Sequence, residues 1–118
     1  MTKRRQLVHL ITLAQQREAL GSLAKRAHHH GKHVDKIVVT LAITVLKHAD
    51  QGSIRMMETA SEWGFGFTAR AKFHGTEYRF TYEHPPVAKI SVKDGNRVVK
   101  MLDNSTPLDE IQAFIKSL

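Results

Sequence analysis

The stretch FGFTARAKFHGTEYRFTYE, from Phe65 to Glu83, decides the fold because apolar and polar residues alternate along it on both sides of a turn. Before the turn, Phe67 and Ala69 alternate with Thr68 and Arg70. A period of two is typical of a strand with one buried face, and the central HGT predicts a hairpin turn. We therefore expect two antiparallel strands that share one apolar face and one polar face.

The same alternation continues downstream in VAKISVK and RVVKML. Pro85 and Pro86 end the second strand, because proline removes a backbone donor. Asp94-Gly95, or alternatively Gly95-Asn96, is a strong signal for a two-residue turn between the third and fourth strands. Residues 63–104 are therefore predicted to form a four-stranded antiparallel β-meander.

A helix is predicted over residues 105–118. Ser105 or Thr106 would cap it, Pro107 suits its first position, and Asp109 and Glu110 favour the positive end of its dipole. Its apolar residues recur at helical spacing, so we expect this helix to pack on one face of the sheet.

The region before the strands has a helical rhythm. Apolar residues at spacings of three and four predict two long helices, at about 3–29 and 34–49, with Gly31 ending the first. Ser53 would cap a short third helix over 54–62. The predicted fold class is α+β, a single domain over 1–118: two long antiparallel N-terminal helices and a short third helix in 1–62, then the meander and the C-terminal helix.

Charge is unevenly distributed along the chain, which has 118 residues and a net charge of +7. Residues 1–50 contain nine Lys or Arg and three acids, whereas residues 51–118 contain nine and eight. Such asymmetry indicates an electrostatic footprint for nucleic acid or for an acidic protein surface. The alternative is a basic protein whose charge serves only solubility.

The segment AKRAHHHGKHVDK, residues 24–36, collects cations where the two long helices would meet. We name this feature the helix-turn knob, and its candidate contacts for phosphates or an acidic partner are Lys25, Arg26, His29, Lys32, His33 and Lys36. A metal site is disfavoured, because neighbouring Lys and Arg repel a cation and the chain has no cysteine. The histidines are also explained as cations at the negative end of a helix dipole. We expect no metal and no cofactor.

The outward phase of the strands supplies a second candidate surface. Five cations are predicted to point outward among Thr68, Thr81 and Ser91 and could contact phosphates: Arg70, Lys72, Arg79, Lys89 and Lys93. An ordinary solvated sheet face would show the same alternation. Trp63 in EWGFGF is a candidate anchor for a partner, with a bulged strand start as the alternative.

No motif for nucleophilic, acid–base or phosphate-loop chemistry is present, so we expect no enzyme. The main hypothesis is a small basic accessory protein of phage or plasmid type that binds DNA or RNA phosphates without sequence preference. The alternative is an inhibitor or adaptor that binds a host protein, such as a nucleic-acid-processing enzyme or defence complex.

The apolar run Ile37–Leu46 is too short to span a membrane, and absence of cysteine suits the cytoplasm. A homodimer through Val39 and Ile43 of the second helix is a further hypothesis.

Overall fold

Five antiparallel strands form a single sheet with the order β1-β2-β3-β4-β5. The computed structural model describes residues 18, 20–25, 35–61, 64–83 and 88–118. Helix α1 is described at residues 18 and 20–25. The other elements are α2 (Lys36–Leu46), β1 (Arg55–Ser61), β2 (Gly64–Phe73), β3 (Thr76–Glu83), β4 (Lys89–Asp94), β5 (Arg97–Leu102) and α3 (Leu108–Ser117).

The predicted β2–β3 hairpin is confirmed. Its turn places His74 at φ 51° and Gly75 at φ 84°, a left-handed conformation that glycine adopts without steric cost. The carboxylate of Asp50 accepts the backbone N–H of His74 at 3.0 Å and that of Gly75 at 2.9 Å. The hydrogen bond from Gly75 is the main cause that lowers the pKa of Asp50. The hairpin turn is thus tied to the segment that follows α2.

One face of the sheet, which we name the core face, carries the hydrophobic core. Phe67 and Phe80 from the strands join the same buried cluster as Val38 and Ala42 of α2 and Ile111 of α3. The alternation of β2 and β3 therefore places aromatic and small apolar side chains beneath the helices, as the strand pattern predicts. The opposite surface is the outer face.

The start of α2 is fixed by Asp35, which caps the helix. Its carboxylate accepts the backbone N–H groups of Ile37 at 2.9 Å and Val38 at 3.2 Å. Its other carboxylate oxygen accepts the side-chain amide of Asn104 at 3.0 Å, and its own N–H donates to the Tyr82 hydroxyl at 3.0 Å. Burial of Tyr82 raises its pKa. One residue therefore joins helix, sheet and the loop before α3.

The prediction of a third helix over 54–62 is wrong, and so is that of a four-stranded meander. Residues Arg55–Ser61 form β1, which pairs antiparallel with β2 from Arg55–Arg70 to Ser61–Gly64. Met, Glu and Ala favour helices in isolation. Here the ten-residue β2 offers a second edge for hydrogen bonding, and this tertiary pairing outweighs the local preference.

The prediction of two long N-terminal helices is also wrong. Before β1, the described residues form α1, at residue 18 and residues 20–25, and α2 of only 11 residues, and the third helix, α3, is C-terminal. Helix α2 ends at Leu46 because the next N–H groups turn back: His48 donates to Val45 and Ala49 to Leu46. The N–H of Asp50 then donates to Lys72 of β2 at 2.7 Å.

The start of α3 also differs from prediction. Pro107, rather than Ser105 or Thr106, is the N-cap, and no side chain caps this end. The Ser105 hydroxyl donates to the Asp103 carboxylate at 2.6 Å, and Thr106 Oγ1 accepts the Asp103 N–H at 3.0 Å. These hydroxyls hold the turn before the helix and are thereby diverted from capping it.

Candidate functional site

Four cations form a line across the outer face of the sheet. The strand register places Arg55 of β1 opposite Arg70 of β2, Arg70 opposite Arg79 of β3, and Arg79 opposite Lys93 of β4. Directly opposite residues of neighbouring strands share a face, with Cβ atoms about 4.5–5.5 Å apart. We name these four residues the basic row.

No carboxylate of the described residues forms an ion pair with any member of the basic row. Arg55 Nη1 donates to the backbone oxygens of Gly52 at 3.2 Å and Ile54 at 3.4 Å, which positions its guanidinium at the start of the row. Like charges directly opposite one another destabilise a sheet. The row is therefore an arrangement that folding alone disfavours and that a bound anion would stabilise.

Burial strengthens the field of the row on its β3 and β4 side. Arg79 and Lys93 are half-buried, whereas Arg55 and Arg70 are exposed. Partial removal of water raises the electrostatic influence of a charge on a nearby anion.

A line of hydroxyls runs beside the basic row. Thr68 lies opposite Thr81, and Thr81 opposite Ser91, while Met57 and Met101 occupy the two ends of the line. Together with the basic row, these threonines line a cleft of about 540 Å³. Cationic and hydroxyl side chains are the groups that proteins direct at phosphate oxygens.

The other cations of the outer face have carboxylate neighbours. Lys72 lies opposite Glu77, and Lys89 lies opposite Glu83, with Nζ and Oε2 3.5 Å apart. Glu83 lines the larger cleft, and Glu77 lines a second hollow of about 230 Å³ on the other side of the row. The cations around the basic row thus lie opposite carboxylates, whereas the members of the row lie opposite one another.

The structure separates the predicted site residues. Arg70 is in the basic row, and Lys72 lies one row away. Lys25 and Lys36 are exposed, and Lys36 begins α2, a helix that packs on the core face rather than the outer face. Of the other predicted contacts, Arg26, His29, Lys32, His33 and Trp63 lie outside the described residues.

The sequence reasoning missed Arg55 because it assigned that residue to a helix. The alternation of Arg55, Met56 and Met57 is a weak strand signal. Side-chain exposure along the start of β1 alternates with a period of two: Met56 packs against the core, whereas Met57 is 69% exposed. Only the pairing of β1 with β2 shows that the row has four members.

Two further expectations concern metals and membranes. Within the ranges that the structure describes, no group of three His, Asp or Glu residues could hold a metal ion, and those ranges exclude the histidines of the helix-turn knob. No helix in the described part of the chain is long and apolar enough to cross a membrane.

The proposed dimer surface on α2 is occupied within the chain. Val39 is buried in the core, and Ile43 packs against it. The homodimer stays a prediction. The two residues that suggested it, Val39 and Ile43, pack within the chain.

Neither a protein-family model nor a curated protein matches this sequence. The fold and the outer face define a class, small basic α+β proteins with an open antiparallel sheet, and function is inferred from the geometry of that face.

Proposed function

We propose that this protein is a non-enzymatic cytoplasmic accessory protein that binds nucleic-acid phosphates through the outer face of its sheet. The observation that carries the proposal is the basic row, in which four adjacent cations have no carboxylate partner among the described residues. A ligand with regularly repeated negative charges would relieve their mutual repulsion, and a phosphodiester backbone is such a ligand.

The chemistry of the face favours binding without sequence preference. Guanidinium, ammonium and hydroxyl groups bind phosphate oxygens, which are the same at every nucleotide. No helix of the described residues projects from the outer face to enter a groove and read base edges. Lys25 and Lys36 of the helix-turn knob are exposed and provide a second phosphate contact.

The test is fluorescence anisotropy with labelled DNA and RNA oligonucleotides over a range of salt concentrations. We expect binding that weakens steeply with salt, because bound cations release counterions from the phosphates. Arg79→Gln should lower the affinity several-fold and reduce the slope of log K against log salt by about 0.7–0.9.

Lys89→Gln is the matched control, because Lys89 is a cation on the same face that already pairs with Glu83. It should leave the slope nearly unchanged. If wild-type protein binds neither DNA nor RNA at low salt, the proposal is wrong.

A second candidate function is binding to an acidic protein, as an inhibitor or adaptor. The observation in its favour is the exposed apolar side chains at the edges of the outer face: Met57 at 69%, Val98 at 47% and Met101 at 46%. Methionines adapt their shape to irregular protein surfaces.

Affinity purification with and without nuclease separates the two functions. A single stoichiometric protein that survives nuclease, and that is lost from Met57→Ser but not from Lys89→Gln, would support the second function. Loss of all partners after nuclease would support nucleic-acid binding.

A further inference from the structure

We infer that the ligand of the outer face is a double-stranded nucleic acid, one of whose phosphate backbones runs along the basic row at right angles to the strands. This inference rests on the proposed function and names the form and direction of the ligand. Three features of the outer face carry it: the positions of its acids, its lack of described aromatic side chains, and the length of the row.

The acids determine the direction. On the outer face, β3 presents Glu77, Arg79, Thr81 and Glu83 in order. Alternate residues of a strand are about 6.8 Å apart, so a polyanion that followed β3 would meet a carboxylate on either side of Arg79. A polyanion that crossed the strands would meet the four cations of the row in succession, with Glu77 and Glu83 on either side of its path.

The hydroxyl line supports the same direction. Thr68, Thr81 and Ser91 lie beside the row on three successive strands. Ser91 is buried, so a backbone that follows the row has the half-buried hydroxyls of Thr68 and Thr81 along one side, where they can donate to phosphate oxygens. Met57 and Met101 end this line at the two edge strands.

The side chains of the face favour a duplex over a single strand. Proteins that bind single strands stack bases on aromatic rings, each stack contributing about 1–3 kcal/mol. Among the described side chains, Phe67, Phe73, Phe80 and Tyr82 are buried in the core, and the half-buried Tyr78 packs its ring edge against Phe73. No described ring on the outer face could stack a base.

A duplex needs no stacking surface, because its bases are already stacked and its phosphates lie outside. It also carries about one charge per 1.7 Å of its axis, so more counterions are released when cations bind it. A face whose described side chains offer phosphate donors and no stacking ring therefore suits the duplex better.

The length of the row gives the extent of contact. Four adjacent strands separated by about 4.8 Å place the outer members of the row about 14 Å apart. Because a backbone winds around the duplex axis, it travels farther per nucleotide than the axial rise of about 3.4 Å, so the row spans fewer than four nucleotides of one backbone.

The form of the ligand is tested by comparing duplexes of about 14 base pairs, as DNA and as RNA, with their separate strands at equal salt. We expect at least one duplex to bind about tenfold more tightly than either of its strands. Single strands that bind as tightly as both duplexes would overturn the inference and leave the proposed function standing. Absence of binding to every probe would reject both.

The direction is tested on the tighter duplex with Arg55→Gln and Lys93→Gln, which change the two ends of the row. Each should reduce the slope of log K against log salt by about 0.9, by removing one phosphate contact. Lys72→Gln is the matched control, because Lys72 is an exposed cation of the same face off the row.

A backbone that followed β2 would give the reverse result, with Lys72→Gln reducing the slope and the two end variants leaving it unchanged. That result would overturn the inferred direction. Circular dichroism and thermal unfolding of each variant establish that it is folded before its affinity is compared.

Discussion

The core face and the outer face of the sheet consist of the same strands, yet they are determined by different forces. On β3, Phe80 is fully buried beneath the helices, whereas its neighbour Arg79 lies between two like charges, Arg70 and Lys93, in the basic row. The core face lowers the free energy of the folded chain through burial of apolar area. The outer face raises it through repulsion. A surface that costs stability is more informative about binding than one that contributes to it.

Phe80→Ala should produce the largest effect and tests the core side of this comparison. Removal of a fully buried ring from the centre of the sheet should lower the free energy of unfolding by about 3–5 kcal/mol. Arg79→Thr, at the adjacent position on the other face, should change it by about 0.5 kcal/mol or less. Urea denaturation of both variants measures the contrast, and equal losses would show that the outer face also contributes to folding.

Tyr82→Phe should have a smaller effect and tests how the core face is joined to α2. The variant leaves the Asp35 N–H without the hydroxyl that accepts it at 3.0 Å, at a cost of about 0.5–1.5 kcal/mol. Tyr78→Phe is the control, since the Tyr78 hydroxyl has no hydrogen bond to any described residue. The unfolding temperature of Tyr82→Phe should be lower than that of Tyr78→Phe. An equal decrease in both variants would show that the Tyr82 hydroxyl does not have this role.

Arg70→Thr should stabilise the protein and sharpens the comparison on the outer face. Arg70 lies between Arg55 and Arg79, so its replacement by a residue that favours strands should raise the free energy of unfolding by about 0.2–1 kcal/mol. The gain should shrink at high salt, where charges are screened.

Lys72→Thr, opposite Glu77, provides the control for that experiment and should give no gain. A loss of stability from Arg70→Thr at low salt would show that the row is structural, and the case for a phosphate site would weaken accordingly.

Asp50→Asn should have the smallest effect and depends on pH. Hydrogen bonds from Gly75 and His74 lower the pKa of Asp50 below its ordinary value of 3.8, so the folded state favours the carboxylate. Its contribution is full above pH 3.8 and is lost as the pH falls through the lowered pKa. Chemical denaturation at neutral pH and near pH 2.5 should show a gap between wild type and variant that narrows with acid. A gap that stays constant would exclude the charge of Asp50 as its cause.

The hairpin could be predicted from sequence because its signals are local. The alternation around Phe67 and Phe80 and the turn at His74-Gly75 depend on residues close in the chain, and the structure retains both. The error at Arg55–Ser61 has the opposite origin. Its residues favour a helix, and only the free edge of β2 makes a strand the better state.

The same distinction applies to the candidate site. Arg70 and Lys72 could be placed on an outward face from their spacing alone, but nothing in that spacing distinguishes them. The cross-strand register does so, because it puts Arg70 between two arginines and Lys72 opposite Glu77.

Composition and periodicity by themselves determined the charge of this protein, its strand rhythm and the division of its β2–β3 hairpin into an apolar and a polar face. Those properties follow from single residues and their near neighbours. The number of strands, the end of α2 and the alignment of Arg55, Arg70, Arg79 and Lys93 were decided by tertiary structure. The physical reason is that pairing between strands joins residues far apart in sequence, and no local preference encodes which cations become neighbours.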